Sequence, residues 1–257
     1  MKFTVNGKEF KEAIRICKLK GKYNEGNYST TSALSDNIFL EVKDNILYIQ
    51  NADNYTYIVY RLTGTNMQDG YEAVCGETLE KYLTDAEISA NTEQGKICLL
   101  VNSTIITIPT LQRHENASVI NRLKVHLSTL TRSMARRALR QSEPLQVTDK
   151  LFLTTILDLE SDEFVEAMTL AEKVGNSIYK INWKPDQLVI SSNRNNEEVI
   201  TNINPLNSNN IPASVDISLP IGNIAKTEDY ITLAYNDNNP VVFMNEKITV
   251  LRGPRSD

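Results

Sequence analysis

The 257-residue sequence predicts an α+β fold of two similar halves, each built from two strand–helix–three-strand units. Three observations predict it. Short apolar runs rich in Val, Ile, Leu and Tyr recur along the chain, separated by Asn, Asp, Gly and Pro, which is the pattern of antiparallel strands joined by tight turns. Each group of three runs follows a strand and then a stretch of helical period, so one order of elements occurs four times. Between the second and third occurrences lies a basic stretch, Asn116–Asp149, with a helical period of its own. The expected organisation is an N-terminal domain at 1–115, a connector at 116–149 and a C-terminal domain at 150–257.

Lys2–Val5 reads as the first strand and Asn6-Gly7 as a turn. A helix follows from about Lys8 to Lys20, stopped by Gly21. Phe10, Ala13, Ile14 and Cys17 form its apolar stripe, while Lys8, Lys11, Arg15 and Lys18 form a second, cationic one. Beyond a polar loop (Tyr23–Asp36), Ile38–Val42, Ile46–Gln50 and Tyr55–Leu62 read as a meander. The order then restarts with strand Tyr71–Cys75, a short helix Glu77–Asp85 burying Leu79 and Leu83, and strands Glu87–Asn91, Lys96–Val101 and Thr104–Pro109.

In the connector, Leu123, Leu127, Leu130 and Met134 stack on one helical face. Arg122, Arg132, Arg136 and Arg140 gather on another, with Arg137 beside it. Ser142-Glu143-Pro144 ends this helix, because a residue before proline leaves the α region. The third unit is strand Leu151–Leu159, a helix capped by Ser161 with Asp162 and Glu163 in its first turn, and strands Ser177–Trp183, Leu188–Ser192 and Val199–Ile203. That helix buries Phe164, Ala167, Met168 and Ala171, and Gly175 ends it. The fourth unit is strand Ala213–Leu219, short helix Pro220–Thr227, and strands Tyr230–Tyr235, Val241–Asn245 and Lys247–Leu251. Arg252–Asp257 reads as a tail.

Composition limits the function. Hydrophobic residues at 41% and charged residues at 23% are those of an ordinary globular chain. No run is apolar over the roughly 18–20 residues that span a bilayer, and the N-terminus enters a strand directly, so the expected location is the cytoplasm. Cys17, Cys75 and Cys98 lack metal-ligand spacing and sit in apolar contexts, as buried reduced thiols do. Asn27-Tyr28-Ser29 and Asn102-Ser103-Thr104 match the glycosylation pattern, but nothing else points to secretion. His114 and His126 have no carboxylate or thiol at a catalytic spacing, and P-loop, dinucleotide and zinc motifs are lacking. No catalytic residue, metal or cofactor is expected. The acids Asp158, Glu160, Asp162 and Glu163 read as the decoration of a helix N-terminus, and Trp183 as core or turn packing.

The net charge of −5 is unevenly spread. Gly7–Lys22 carries six basic residues (Lys8, Lys11, Arg15, Lys18, Lys20, Lys22) against two acids. Asn116–Asp149 again carries six (Arg122, Lys124, Arg132, Arg136, Arg137, Arg140) against two. An acidic body with two basic segments can hold a polyanion at one surface and repel it elsewhere. Strands exposed at both sheet ends also invite edge-to-edge pairing with another copy.

Met1-Lys2-Phe3-Thr4-Val5 opening into a helix, then Leu47-Tyr48-Ile49-Gln50-Asn51-Ala52-Asp53, resembles the start of the DNA sliding clamps, a family that includes polymerase III beta subunits, proliferating cell nuclear antigen and phage counterparts. Asn239-Pro240-Val241-Val242-Phe243 and Leu251-Arg252-Gly253-Pro254 are similar to the pattern near the family's C-terminus. The resemblance implies the clamp fold, with helices on the inner side and sheets on the outer side. Because family rings contain six domains, it implies a homotrimer encircling duplex DNA. It also implies a clamp loader, and a polymerase tethered by a peptide in an apolar pocket that matches Ala52, Asp53, Tyr55, Pro240, Leu251 and Gly253. Sliding needs weak, sequence-neutral phosphate contacts. Those expected here come from Lys8, Lys11, Arg15, Lys18 and Lys22, and from Arg122, Arg132, Arg136, Arg137 and Arg140. The connector departs from the family, whose connectors are mostly extended. Helices Glu77–Asp85 and Ser161–Val174 carry more acid than base and Pro220–Thr227 offers only Lys226, where a usual clamp has more positive charge. The strongly localised charge favours, as the alternative, a non-ring clamp-fold accessory factor for replication or transcription.

Overall fold

The computed structural model describes residues 1–18, 37–52, 56–111, 120, 127–174, 178–195, 197–217 and 226–254. The chain divides into two compact units, Met1–Lys124 and Val125–Asp257.

Unit 1 runs β1 (Lys2–Val5), α1 (Gly7–Cys17), β2 (Asn37–Lys43), β3 (Ile46–Ala52), β4 (Thr56–Thr63), β5 (Thr65–Gln68), β6 (Gly70–Cys75), α2 (Gly76–Glu80), β7 (Ile88–Glu93), β8 (Lys96–Val101) and β9 (Thr104–Pro109). These strands form two antiparallel layers whose membership crosses the sequence repeats. The first strand β1 joins the later meander in the order β5-β1-β7-β8-β9, while β6 joins the earlier one in the order β4-β3-β2-β6. Each repeat thus lends its first strand to the other, so neither closes a core alone. The hairpin turns use left-handed residues where expected: Asp44 and Asn45 between β2 and β3, and Asn102 and Ser103 between β8 and β9.

The α1 helix starts where Asn6 accepts a hydrogen bond from the Glu9 amide at 3.1 Å, so Asn6-Gly7 is a helix cap rather than a free turn. Phe10, Ala13, Ile14 and Cys17 are buried, and the Phe10 ring meets Phe3 edge-on at 5.6 Å. Gly7 is required by close approach: a Cβ there would lie 1.8 Å from the carbonyl oxygen of Ala86. The helix ends at Lys18, whose backbone is extended, three residues before the expected stop at Gly21, which lies outside the described residues. The α2 helix is shorter than expected, although Leu79 and Leu83 are both buried.

Unit 2 contains α3 (Arg132–Gln141), β10 (Leu145–Gln146), β11 (Phe152–Leu153), β12 (Thr155–Glu160), α4 (Ser161–Glu172), β13 (Tyr179–Lys184), β14 (Gln187–Arg194), β15 (Glu197–Ile203), β16 (Asn207–Ser208), β17 (Ala213–Ile217), β18 (Tyr230–Tyr235), β19 (Val241–Met244) and β20 (Ile248–Arg252). The exchange of first strands recurs. β12 joins β18-β19-β20, with β16 on its far side, while β17 joins β13 in the order β15-β14-β13-β17. Phe164 and Phe243 meet in its core with centroids 6.0 Å apart, and Trp183, Tyr179 and Met168 are buried.

Several expectations are corrected. The strand expected at Leu151–Leu159 is broken into β11 and β12. Ser161 is the first helical residue and not the cap, which is Glu160. Arg252 belongs to β20 and is buried, so it is no tail residue. Cys17 is buried, whereas Cys75 and Cys98 are only half-buried. The α3 helix begins at Arg132, after an extended Thr131, so Leu127 and Met134 do not share one continuous helical face. Leu127, itself helical, and Leu130 are buried on either side of a bend at Ser128 and Thr129, Ala135 and Leu139 are the buried residues of α3, and Met134 is 46% exposed. Leu123, the loop Tyr23–Asp36, Gly175 and most of the helix expected at Pro220–Thr227 lie outside the described residues.

Candidate nucleic-acid interface

Along α1 and its cap, Lys8 and Arg15 are exposed and Lys11 and Lys18 are half-buried, so the basic stripe flanks the buried one and turns partly to solvent. Two of its members are already engaged. Arg15 Nε donates to Glu80 Oε1 at 2.7 Å, and Lys18 Nζ to Glu80 Oε2 at 2.6 Å. Glu80 stands at the end of α2, beside α1. The hydrogen bond from Lys18, then that from Arg15, hold its carboxyl below the ordinary carboxylate value. Lys22 lies outside the described residues.

The α3 helix treats its arginines differently. Arg132 makes a two-pronged contact with Asp158 on β12, Nε to Oδ1 at 2.8 Å and Nη2 to Oδ2 at 2.7 Å. Arg136 Nε lies 3.5 Å from the same carboxylate, and Thr232 of β18 donates to it at 2.8 Å. The Arg132 guanidinium also covers the Tyr230 ring, 4.7 Å from its centroid. At the helix start Glu246 accepts from the Ser133 amide at 2.8 Å and its hydroxyl at 2.6 Å, and Thr249 donates to the Leu130 carbonyl. These contacts pin the beginning of α3 onto its own unit. That corrects the expected single arginine face: Arg132 is turned inward, Arg136 is half-buried, and Arg137 and Arg140 remain exposed. Arg122 lies outside the described residues. Asp158 is likewise corrected, since it is a buried strand residue and no ornament of the α4 terminus.

Asp162, Glu163 and Glu166 are exposed on α4, and a recess of about 300 Å³ beside β15 is lined by Glu163, Glu166 and Asn202. This face repels phosphate. Of the expected partner-peptide residues, Ala52 is buried at the end of β3 in unit 1, while Asp53 and Tyr55 lie outside the described residues. In unit 2, Val241 faces Arg252 in the β19–β20 register, which sets Pro240 and Gly253 together at the open end of that hairpin, with Leu251 half-buried beside them. Among the described residues no cluster of three or more His, Cys, Asp or Glu could hold a metal, and no helix is long and apolar enough to cross a membrane.

The sequence reading missed Glu80 and Glu246 and misassigned Asp158. Only Asp158 left a trace, as a lone acid inside the apolar run Leu157-Asp158-Leu159, where a buried charge demands a cation.

Each unit holds two main antiparallel sheets with exchanged first strands, unit 2 adding the small β10–β11 pair, and the solved structures that superimpose on the chain show this to be the fold of the DNA sliding clamps. No family model and no curated protein sequence matches the chain. Solved structures do match it. The DNA polymerase sliding clamp from Bacillus subtilis superimposes with a TM-score of 0.74 at 14% identity, covering 100% of this chain and 64% of that one. The present chain therefore spans less than two thirds of that bacterial clamp. A chain of the PCNA2–PCNA3 complex from Sulfolobus tokodaii gives a TM-score of 0.68 at 13% identity, with 100% of both chains covered. The A. fulgidus PCNA, solved with the C-terminal region of FEN-1 bound, gives 0.69 at 12% identity over 100% of this chain and 98% of that one.

Proposed function

We propose that this chain is a sliding clamp: three copies close into a ring around duplex DNA and tether a polymerase to it. The observation that carries the reading is the pair of units with exchanged first strands, each ending in a strand that has one side left over. Among the described residues, β9 is the last strand of its sheet in unit 1 and β15 the last of its sheet in unit 2. Each shows aliphatic side chains to solvent. Ile105 on β9 is 72% exposed, with Leu100 opposite it on β8, and Ile200 is exposed on β15. Such edges bind another strand unless blunted by charge.

Pairing β9 of one copy with β15 of the next is a head-to-tail contact, which closes into a ring when the rotation permits. The ends are complementary in charge. Lys96 faces Pro109 at the end of β9, and Glu197 and Glu198 open β15, so an antiparallel approach brings the acids to the lysine. With two units per chain, three copies give the six-domain ring of the family. The exposed cations of α1, together with Arg137 and Arg140, then hold phosphates without reading bases. The partner peptide of the polymerase or loader docks at the lip formed by Pro240, Leu251 and Gly253.

A second reading, a clamp-fold accessory factor that binds DNA without a ring, is favoured by α4, which exposes Asp162, Glu163 and Glu166 where a helix lining a DNA-filled ring would carry cations. Light scattering separates the two. A mass of about three chains supports the ring, and a single-chain mass at every protein concentration and salt rejects it.

A further inference from the structure

Each of the two basic segments gives two of its cations to a single carboxylate, and the two carboxylates differ in burial. The Asp158 side chain is 3% exposed and its partner Arg132 14% exposed, so that pair is committed to the fold. Glu80 is 23% exposed, with its partners Lys18 20% and Arg15 59% exposed, so this cluster is half-buried and its Arg15 arm reaches solvent. Exposed ion pairs are weak and are screened by salt. The two oxygens of Glu80 satisfy Arg15 and Lys18 separately, as the two anionic oxygens of a backbone phosphate would.

We propose that Glu80 acts as a built-in stand-in for phosphate, competing with duplex DNA for Arg15 and Lys18 and so weakening the grip of α1. The proposal rests on the reading of α1 as a DNA-facing helix. Lys8 and Lys11 trade only small counterions for a phosphate, whereas Arg15 and Lys18 exchange one fixed anion for another and gain less from the exchange. Their contribution to counterion release is correspondingly muted. A protein that must remain on DNA and still move along it is served by such a restraint. Asp158 cannot act in this way, because removing its cation would strand a buried charge.

The test is duplex affinity as a function of salt for the full chain, for Glu80→Gln, for the double variant Arg15→Gln/Lys18→Gln, and for the triple variant. Glu80→Gln is expected to bind several-fold more tightly at low salt. Its slope of log affinity against log salt is expected to steepen by up to about 1.8, for two phosphates at about 0.9 each. In the double-variant background the same substitution is expected to change nothing, which a purely structural effect of Glu80 would not produce. Unchanged or weaker binding by Glu80→Gln, with the parent chain binding normally, overturns the proposal and leaves the clamp reading standing. If neither the parent nor Glu80→Gln binds duplex at any salt, the DNA-facing reading of α1 falls and the proposal with it.

Discussion

Asp158 lies on a strand among apolar neighbours, and its two oxygens are taken by Arg132, Arg136 and Thr232. A carboxylate in that position is tolerable only while its cations stay. Breaking a buried pair from one side costs up to about 3–5 kcal/mol when the charge is left alone. With Arg136 and Thr232 still on Asp158, Arg132→Ala should cost the lower part of that range, read as a lowered urea midpoint for unfolding of unit 2. A shift of a few tenths would show that the pair is far better solvated than its burial implies. Gly7 is constrained differently. Its missing Cβ makes room for the Ala86 carbonyl, so Gly7→Ala should destabilise unit 1 by about 1–3 kcal/mol, read as a drop in melting temperature. Glu80 gives a pH dependence whose sign is fixed by the direction of its shift. Its folded-state value is lowered from 4.5, so its hold on α1 is complete above 4.5 and is lost as pH falls through the lowered value. Exposure keeps the effect small. The stability difference between the parent and Glu80→Gln should therefore shrink towards zero on acidification below 4.5, and a difference that grows there would contradict the assignment.

At the scale of elements, local signals carried most of the strands and helices. Asp44-Asn45 and Asn102-Ser103 mark hairpins because they accept left-handed backbone, and the spacing of Phe10, Ala13, Ile14 and Cys17 marks α1. What could not be read was set by distant partners. The exchange of β1 and β6 between meanders depends on pairings across the whole unit, and the short strands β5 and β16 exist only because β1 and β12 offer them an edge. The connector misled for the same reason. Its leucines have helical spacing, but Thr249 and Glu246, more than a hundred residues away, hold the backbone and fix the helix start at Arg132. Likewise the cationic stripe of α1 was legible, while the acid that occupies it was not, since Glu80 lies 62 residues from Lys18. The element that most needs testing is the pair of sheet edges. Ile105→Glu on β9, or Ile200→Glu on β15, places a charge where an aliphatic contact is proposed. Each should convert the assembly to single chains by sedimentation while leaving the circular dichroism unchanged. An oligomer that survives both changes would place the contact elsewhere.

For the whole molecule, two units of one fold in one chain make sense if copies are to be joined into a closed object. The basic patches matter less than closure in that case, because a ring stays on DNA by topology and needs only weak phosphate contacts to slide. Under the proposed ring reading, Arg15, Lys18, Arg132 and Arg136 can be paired with acids of their own chain without defeating the proposed function. A protein that depended on grip alone could not afford that loss. Retention on closed circular duplex, compared with the same duplex cut once, at a salt concentration that suppresses simple electrostatic binding, tests this directly, with the protein loaded by a cognate loader or by dilution-driven opening. The ring account predicts that the protein stays on the circle and runs off the cut molecule. Equal loss from both, or equal retention on both, would contradict it.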